Sequence, residues 1–153
     1  SDAYHFSAPD PEGSEVISAM KMALSDANKI SEQIDYINLH GTATPLNDAM
    51  ESAAVNQVFS HHIAVSSTKG MTGHVLGAAA ALELGLCWML LTGRDEQGLL
   101  LPNINDDEID ASLPALNFVQ QGQKLGRRIN CCQSNSFAFG GNNISLIIGR
   151  NDD

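Results

Sequence analysis

The apolar stretch GMTGHVLGAAAALELGLCWML, residues 70–90, constrains the fold of this chain more than any other feature. Its continuous part, residues 75–91, is shorter than the ~20 residues that a membrane-spanning helix needs, and Glu83 interrupts it. We therefore predict a helix that begins near Thr72 and is buried inside a layered protein, with no membrane partner. A buried carboxylate is costly unless it is paired. Lys69, which stands directly before the stretch, is the cation that we expect to pair with Glu83.

His74 is expected in or near the first turn of this helix. A helix N-terminus disfavours the imidazolium form, so a neutral His74 can donate an N–H group to a substrate oxygen. Gly73 and Gly77 would let a ligand or another backbone approach closely. A catalytic role is one interpretation of Lys69 and Glu83, and a purely structural ion pair is the alternative.

The rest of the chain alternates between helical and strand-like patterns. Apolar residues at helical spacing predict helices over residues 15–30 and 45–59, and Pro45 suits the start of the second. Apolar runs predict strands at residues 35–41, 62–68, 99–105 and 115–121, and at both ends of residues 129–149. This order predicts a single α/β domain over residues 1–153, with a mixed sheet of about five strands packed with helices.

Two loops are further candidates for chemistry. His40 follows a predicted strand, in the segment NLHGTATPLND, where α/β proteins often place ligand-handling groups. The alternative is an ordinary hydrogen-bonded histidine in a turn. The segment SNSFAFGGNN, residues 134–143, is predicted to be a loop that presents backbone N–H groups to an anion. A common Gly-rich hairpin connection is the alternative there.

Charge and cysteine content exclude several classes of function. Eighteen acidic and eight basic residues give a net charge of −10, which argues against binding to nucleic acid or to anionic membranes. The three cysteines are an odd number with two adjacent, a poor disulfide framework, so we expect a reducing cytoplasm. We expect all three to be structural, because an apolar setting raises the pKa of a thiol: Cys87, Cys131 and Cys132.

Several of these segments, taken in order, resemble one family. HGTATPLND, STKGMTGHVLGAAAALE and NSFAFGGNN look like the later half of the β-ketoacyl-[acyl carrier protein] synthases, and SDAYHFSAPDPEG and LPNIN fit at the expected places. The resemblance covers essentially the whole chain and implies a layered α/β, thiolase-like fold. It also implies an acyltransferase that performs a decarboxylative Claisen condensation of malonyl-carrier protein with an acyl thioester, in fatty acid or polyketide-like chain elongation.

The same resemblance implies roles for the polar residues of the motifs. His40 and His74 match the two histidines that polarise the malonyl thioester carbonyl and stabilise the enolate. Lys69, paired with Glu83, matches a residue with an electrostatic and positioning role. These assignments explain why so apolar a helix carries polar side chains at one end.

Other positions match groups that handle substrate. Thr42 and Thr44 match hydroxyls that bind the phosphopantetheine arm, which arrives on the acyl carrier protein, so no resident cofactor is expected. The backbone N–H of Phe139 matches one donor of a second oxyanion hole. Some members hold a monovalent cation near four positions that match Asn38, Glu83, Ser134 and Asn135.

One part of the family pattern has no counterpart in this chain. The nucleophilic cysteine of the family lies in its earlier half, so we expect the chain to be a C-terminal domain that is not active alone. The implied partners are acyl carrier protein and the missing N-terminal half, in a homodimer or heterodimer when full length. A non-catalytic partner subunit of a heterodimeric ketosynthase is the alternative.

A nucleotide-binding domain is a third reading, with STKGMTG around a phosphate. The spacing of this segment fits neither G-x-x-x-x-G-K-[ST] nor G-x-G-x-x-G. No acidic residue ends a following strand about 20 residues further on, as ribose recognition would need. These two mismatches argue against a nucleotide site.

Overall fold

The computed structural model of the chain describes residues 4–5, 8–59, 61–105, 110–138 and 140–151. The helices are α1 (Ser14–Asp26), α2 (Pro45–Val58), α3 (Lys69–Thr72) and α4 (Ala79–Thr92). The strands are β1 (Tyr36–Asn38), β2 (Ala64–Ser66), β3 (Asn117–Phe118), β4 (Cys131–Ala138) and β5 (Asn142–Gly149). Short 3₁₀ turns, Ser31–Gln33 and Leu76–Ala78, precede β1 and α4.

The five strands form one mixed sheet in the order β3-β2-β1-β4-β5, as expected. β1 to β4 pair in parallel, and β5 returns antiparallel to β4. At the end of β1, Asn38 lies between Ser66 of β2 and Ser134 of β4 in the register. The short apolar runs of β1 and β2 are buried throughout, as is typical of parallel strands covered on both faces.

Helices cover both faces of the sheet, and each face has its own apolar core. On one face, Met20 of α1 packs with Ile37 and Cys131. On the other face, α4 brings Cys87 against Cys132, because successive strand residues point to opposite faces. Within the described ranges, no helix has both the length and the apolar character needed to cross a membrane.

The chain forms three helical pieces over residues 69–92, so the helix predicted to begin near Thr72 begins later, and His74, predicted in or near its first turn, lies before it. α3 ends at Gly73, whose φ of 73° is a conformation that glycine adopts without a steric penalty. Leu76 also has a positive φ, of 50°, and α4 begins only at Ala79. His74 therefore lies in an irregular segment between α3 and the 3₁₀ turn. Beside Gly73 and Gly77, no described atom would lie within 4 Å of an added Cβ, so the space there is open.

Three further element boundaries differ from the predictions. α1 ends at Asp26, four residues early, because Asn28 adopts a left-handed φ of 51° and Lys29 N–H bonds back to Leu24. The predicted loop 134–143 is strand as far as Ala138, because its residues pair one by one with β5. The predicted strand 99–105 makes only one isolated bridge, Leu99 to Lys124, and is otherwise irregular.

Asp35, directly before β1, binds the backbone at the start of β4. Its carboxylate is buried and accepts N–H groups from Asn130 at 2.6 Å and Cys131 at 3.0 Å. Arg127 Nη2 donates to its other oxygen at 2.5 Å. The carboxylate thus accepts two backbone N–H groups at the start of β4, and it sets where the parallel pairing of β1 with β4 begins.

We expect Asp35→Ala to lower the free energy of unfolding by about 2–4 kcal/mol, because two backbone N–H groups and a guanidinium lose their acceptor. Urea denaturation followed by far-UV circular dichroism measures this loss. Asp26→Ala, at an exposed site at the end of α1, is the matched control and should change stability by less than about 0.5 kcal/mol. Equal effects of the two substitutions would contradict the role assigned to Asp35.

Candidate active site

His40 and His74 lie together at the carboxyl end of the parallel strands. His40 follows β1 and is buried, whereas His74 is exposed in the segment after α3. Their ring centroids are 5.8 Å apart with an interplanar angle of 86°. Phe137 of β4 supports His40 from another side, with ring centroids 5.7 Å apart. The fold therefore brings together two imidazoles that stand 34 residues apart in the sequence, one backed by apolar structure and one open.

His40 is held in its neutral form. Burial lowers the pKa of His40 to about 4, and the charges of Lys69 and His74 act in the same direction. A neutral imidazole has one N–H donor and one acceptor nitrogen. Nδ1 of His40 is buried and has no hydrogen-bond partner among the described residues. The arrangement thus offers a hydrogen-bonding imidazole that stays uncharged at neutral pH.

The predicted ion pair between Lys69 and Glu83 is confirmed. Lys69 Nζ contacts Glu83 Oε1, and both side chains are buried. α4 repeats its buried positions every four residues, so Glu83 points at the sheet together with Ala79 and Cys87. Burial raises the pKa of Glu83, and the Lys69 ammonium opposes this rise. Glu83 Oε2 is buried without a partner among the described residues.

Glu51 belongs to the site, although the sequence analysis did not single it out as a site residue. Its carboxylate is 2% exposed and accepts the backbone N–H groups of His40 and Gly41, each at 2.8 Å. Burial raises the pKa of Glu51 to about 7, against the effect of these hydrogen bonds. The signal was present in the sequence: Glu51 occupies the helical row of Ala54 and Val55, which are buried. An acid in an apolar row indicates a buried carboxylate with partners.

Thr42 and Thr44 lie in the loop that leads from His40 to α2. Their hydroxyl oxygens are 2.9 Å apart, and either can be the donor. Ala43 between them has a φ of 58°, which turns the two side chains toward each other. Thr44 is the N-cap residue of α2, yet its side chain makes no capping hydrogen bond. Its hydroxyl therefore faces Thr42 and not the helix.

The four positions matched to a cation site do not all meet. Asn38 and Ser134 are register partners, and both follow the strand face on which α4 packs. Asn38 Oδ1 is buried and unpaired among the described residues. Asn135 points to the opposite face, where its Nδ2 lies 3.6 Å from Met20 Sδ. The side chain of Asn135 is therefore not near Glu83, because a strand alternates its faces.

Phe139 lies outside the described residues. The three cysteines are free and buried. Burial raises the pKa of Cys131, and a contact with Cys87, followed by burial, raises that of Cys132. These surroundings do not activate a thiol, in line with the structural role predicted for all three. In the part of the chain that the structure describes, no group of three or more His, Cys, Asp or Glu side chains could hold a metal ion.

Comparisons with known proteins agree with the geometry. A sequence profile described as "Beta-ketoacyl synthase, C-terminal domain" matches residues 1–106. The chain is 43% identical over 152 residues to 3-oxoacyl-[acyl-carrier-protein] synthase 2 of Coxiella burnetii, a match that covers 97% of this chain and 35% of that protein. The chain thus spans about a third of the length of this relative.

Solved structures show the same likeness. A chain of the ketosynthase ApeO in complex with its chain length factor ApeC from Xenorhabdus doucetiae is 50% identical, with a TM-score of 0.88, and the match covers 97% of this chain and 36% of that one. A type II polyketide synthase acyl-carrier protein in complex with its ketosynthase contains a chain that is 31% identical, with a TM-score of 0.81, over 97% of this chain and 36% of that one. These structures confirm the expected thiolase-like α/β fold.

We expect the Glu51→Gln variant to gain stability relative to the wild type as pH rises. The raised pKa of Glu51, about 7 against an ordinary value of 4.5, means that the folded state binds this proton more tightly than the unfolded state. Ionisation of Glu51 therefore lowers the free energy of unfolding of the wild type as pH rises from 4.5 to about 7. The variant has no carboxyl group at this position and does not lose this stability. The difference in free energy of unfolding, variant minus wild type, should rise by about 2–4 kcal/mol across the window.

Urea denaturation at half-unit steps of pH measures this difference, and His40 is common to both proteins. Glu15→Gln, at an exposed position of α1, controls for the loss of one carboxylate. A difference for Glu51→Gln that does not rise with pH would show that the Glu51 carboxylate ionises as easily in the folded state as in the unfolded one.

Proposed function

The chain belongs to the β-ketoacyl synthase family, of which it matches the C-terminal domain, and we propose that it supplies the decarboxylation centre of a 3-oxoacyl-[acyl carrier protein] synthase. The observation that carries the proposal is the pair of imidazoles, His40 and His74, 5.8 Å apart at the carboxyl end of the sheet. The side chains of the Lys69–Glu83 pair are buried, and the Lys69 charge acts on His40. The synthase would condense malonyl-carrier protein with an acyl thioester.

The two imidazoles would act as an oxyanion hole. Their N–H groups would donate to the thioester oxygen of the malonyl group while its bond to the carboxylate breaks. The electron pair of that bond forms the enolate, CO₂ leaves, and negative charge collects on the oxygen that the imidazoles face. Donors that are already in place stabilise such a charge without reorganisation. The enolate carbon then attacks the acyl thioester carbonyl, and the sulfur that carried the acyl group leaves as a thiolate.

The neutral form of His40 suits this task. An imidazolium beside the enolate would be a stronger acid and would protonate the carbanion, which would end the reaction before a carbon–carbon bond forms. Burial and the Lys69 charge both hold the pKa of His40 well below neutral pH. The electrostatic role proposed for Lys69 is therefore to help keep His40 uncharged, and the Glu83 carboxylate offsets the cost of burying that ammonium.

Thr42 and Thr44 are proposed to bind the phosphopantetheine arm of the carrier protein. Their paired hydroxyls lie in the loop that follows His40, and the Thr44 hydroxyl is not used to cap α2. Hydroxyls both donate and accept, which matches the alternating amide N–H and carbonyl groups of the arm. The backbone N–H of Phe139 is proposed as a donor for acyl transfer on the strength of its motif alone.

A monovalent cation fits three of the four residues that match the cation site of the family. Asn38 Oδ1 and Glu83 Oε2 are buried oxygens without partners in the described part of the chain, and oxygen ligands suit hard cations. We propose that these two, with Ser134, would hold the ion. When bound, it would supply positive charge that compensates the Glu83 carboxylate.

The partners that we propose are acyl carrier protein and the remaining part of the synthase, in a homodimer or heterodimer. An apolar face supports the second: Leu82 and Met89 of α4 and Ile144 and Leu146 of β5 are exposed. Ile144 and Leu146 pair with Ser136 and Ser134 and so lie on the sheet face that α4 covers only in part. Apolar surface of this kind marks an interface.

We expect His40→Ala and His74→Ala, each made in the synthase that contains this chain, to lower the rate of malonyl decarboxylation by about 10²–10³-fold. Acylation of the enzyme should survive, because it does not pass through the enolate. Release of labelled CO₂ from malonyl-carrier protein and mass spectrometry of the acyl-enzyme follow the two steps separately.

His61→Ala is the matched control, since His61 is exposed and its ring contacts His62, outside the site. Loss of acylation together with decarboxylation in the His40 and His74 variants would argue against an enolate-stabilising pair. A wild-type synthase that neither acylates nor decarboxylates would favour the non-catalytic partner subunit.

We expect the isolated chain to self-associate through the apolar face, and Leu82→Lys/Met89→Lys to shift it toward monomer. Multi-angle light scattering over a tenfold range of concentration measures the change in mass. The matched control is Met22→Lys, which places the same charge on an exposed methionine of α1. A wild-type chain that stays monomeric throughout would contradict the assignment of this face as an interface.

A further inference from the structure

Ser67 lies between β2 and α3, and the proposed reaction gives it no role. Its hydroxyl donates to the carbonyl oxygen of Gly41 at 2.7 Å. Its backbone N–H donates to Asn103 Oδ1 at 2.9 Å. Lys69 N–H lies 3.4 Å from the same hydroxyl, at the long end of a hydrogen bond. One half-buried serine thus joins its own turn, which leads into α3, to two other segments of the chain, the loop at Gly41 and the segment at Asn103.

The first segment is the loop that carries His40. Gly41 has its N–H bonded to Glu51 at 2.8 Å and its carbonyl bonded to Ser67. A Cβ added to Gly41 would lie 2.6 Å from the Cβ of Ser67, and φ of Gly41 is 38°. The backbone next to His40 is therefore in direct contact with Ser67, and both ends of the Gly41 residue are held.

The second segment, residues 100–104, holds Ser67 independently of the His40 loop. Asn103 N–H bonds to Val119 O at 2.8 Å, and Val119 N–H bonds to Val65 O at 2.9 Å, so this segment is anchored beside β3. It also packs closely on α3, because a Cβ at Gly70 would lie 2.3 Å from Ile104 O. Removal of the Ser67 hydroxyl should therefore leave Ser67 in place, while Gly41 loses its carbonyl bond and keeps only its N–H bond to Glu51.

We propose that Ser67 is a positioning residue that fixes the separation of the His40 and His74 imidazoles. Its hydroxyl joins the backbone that carries His40 to the turn that leads through Lys69 to His74. Two donors act on one oxygen only while both point at it, and a misplacement of about 1 Å can cost a reaction 10²-fold. This inference rests on the function proposed for the two histidines.

The test compares Ser67→Ala with the wild-type synthase that contains this chain. We expect kcat for malonyl decarboxylation to fall between about 10-fold and 100-fold, with KM for malonyl-carrier protein changed by less than about threefold. Acylation should proceed at the wild-type rate. Ser67→Thr keeps the hydroxyl and should restore most of the rate. Ser25→Ala, at an exposed serine of α1, should match the wild type in both steps.

Ser67→Cys covers the case in which Ser67→Ala does not fold, as judged by circular dichroism. It nearly keeps the size of serine and has only a weak donor, so decarboxylation should still fall while acylation holds. A wild-type decarboxylation rate in Ser67→Ala or Ser67→Cys would overturn the inference and leave the proposed function standing. A parallel loss of both steps would make Ser67 structural only and would equally overturn it. A wild-type synthase without decarboxylation would instead remove the proposed function.

Discussion

The buried ion pair between Lys69 and Glu83 is the interaction on which the site depends. It joins α3 to α4 across residues 70–78, a segment that the positive φ values of Gly73 and Leu76 keep from being one helix. The pair thus ties the two ends of that segment together through side chains, and His74 lies within it. The pair also explains the sequence: a carboxylate is tolerable in the middle of an apolar helix because an ammonium meets it there.

The same ammonium influences the other buried groups of the site. Its charge lowers the pKa of His40 and of Glu51 as well as that of Glu83. For His40 this adds to the effect of burial and favours the neutral ring, whereas for the two carboxylates it works against burial and favours the charged form. One buried cation thus favours a neutral imidazole at His40 and charged carboxylates at Glu51 and Glu83. The Glu51 carboxylate in turn accepts the backbone N–H groups of His40 and Gly41.

Much of the fold could be predicted from the sequence, because its elements depend on local patterns. α1, α2 and the short buried strands follow apolar spacing, and the Lys69–Glu83 pair follows from the cost of an unpaired carboxylate. The break around His74 could not be predicted in this way, since apolar residues such as Val75 and Leu76 continue the helical pattern through it. The role of Glu51 depends on its tertiary contact with the backbone of the His40 loop, which no local pattern predicts. Asn135 lies in β4 and not in the predicted loop, so the alternation of faces turns its side chain away from α4.

The outer face of α4 connects the site to assembly. Its inner row, Ala79, Glu83, Cys87 and Leu91, is buried against the sheet, while Leu82, Trp88 and Met89 are exposed. A helix that is apolar on all faces is normally buried on all sides. The exposed residues share the helix with Glu83, so a contact that covers them also restrains the carboxylate that pairs with Lys69. Burial of the outer face would therefore stabilise the ion pair and, through it, the segment that carries His74, so the proposed pair of imidazoles would be coupled to any contact that covers α4.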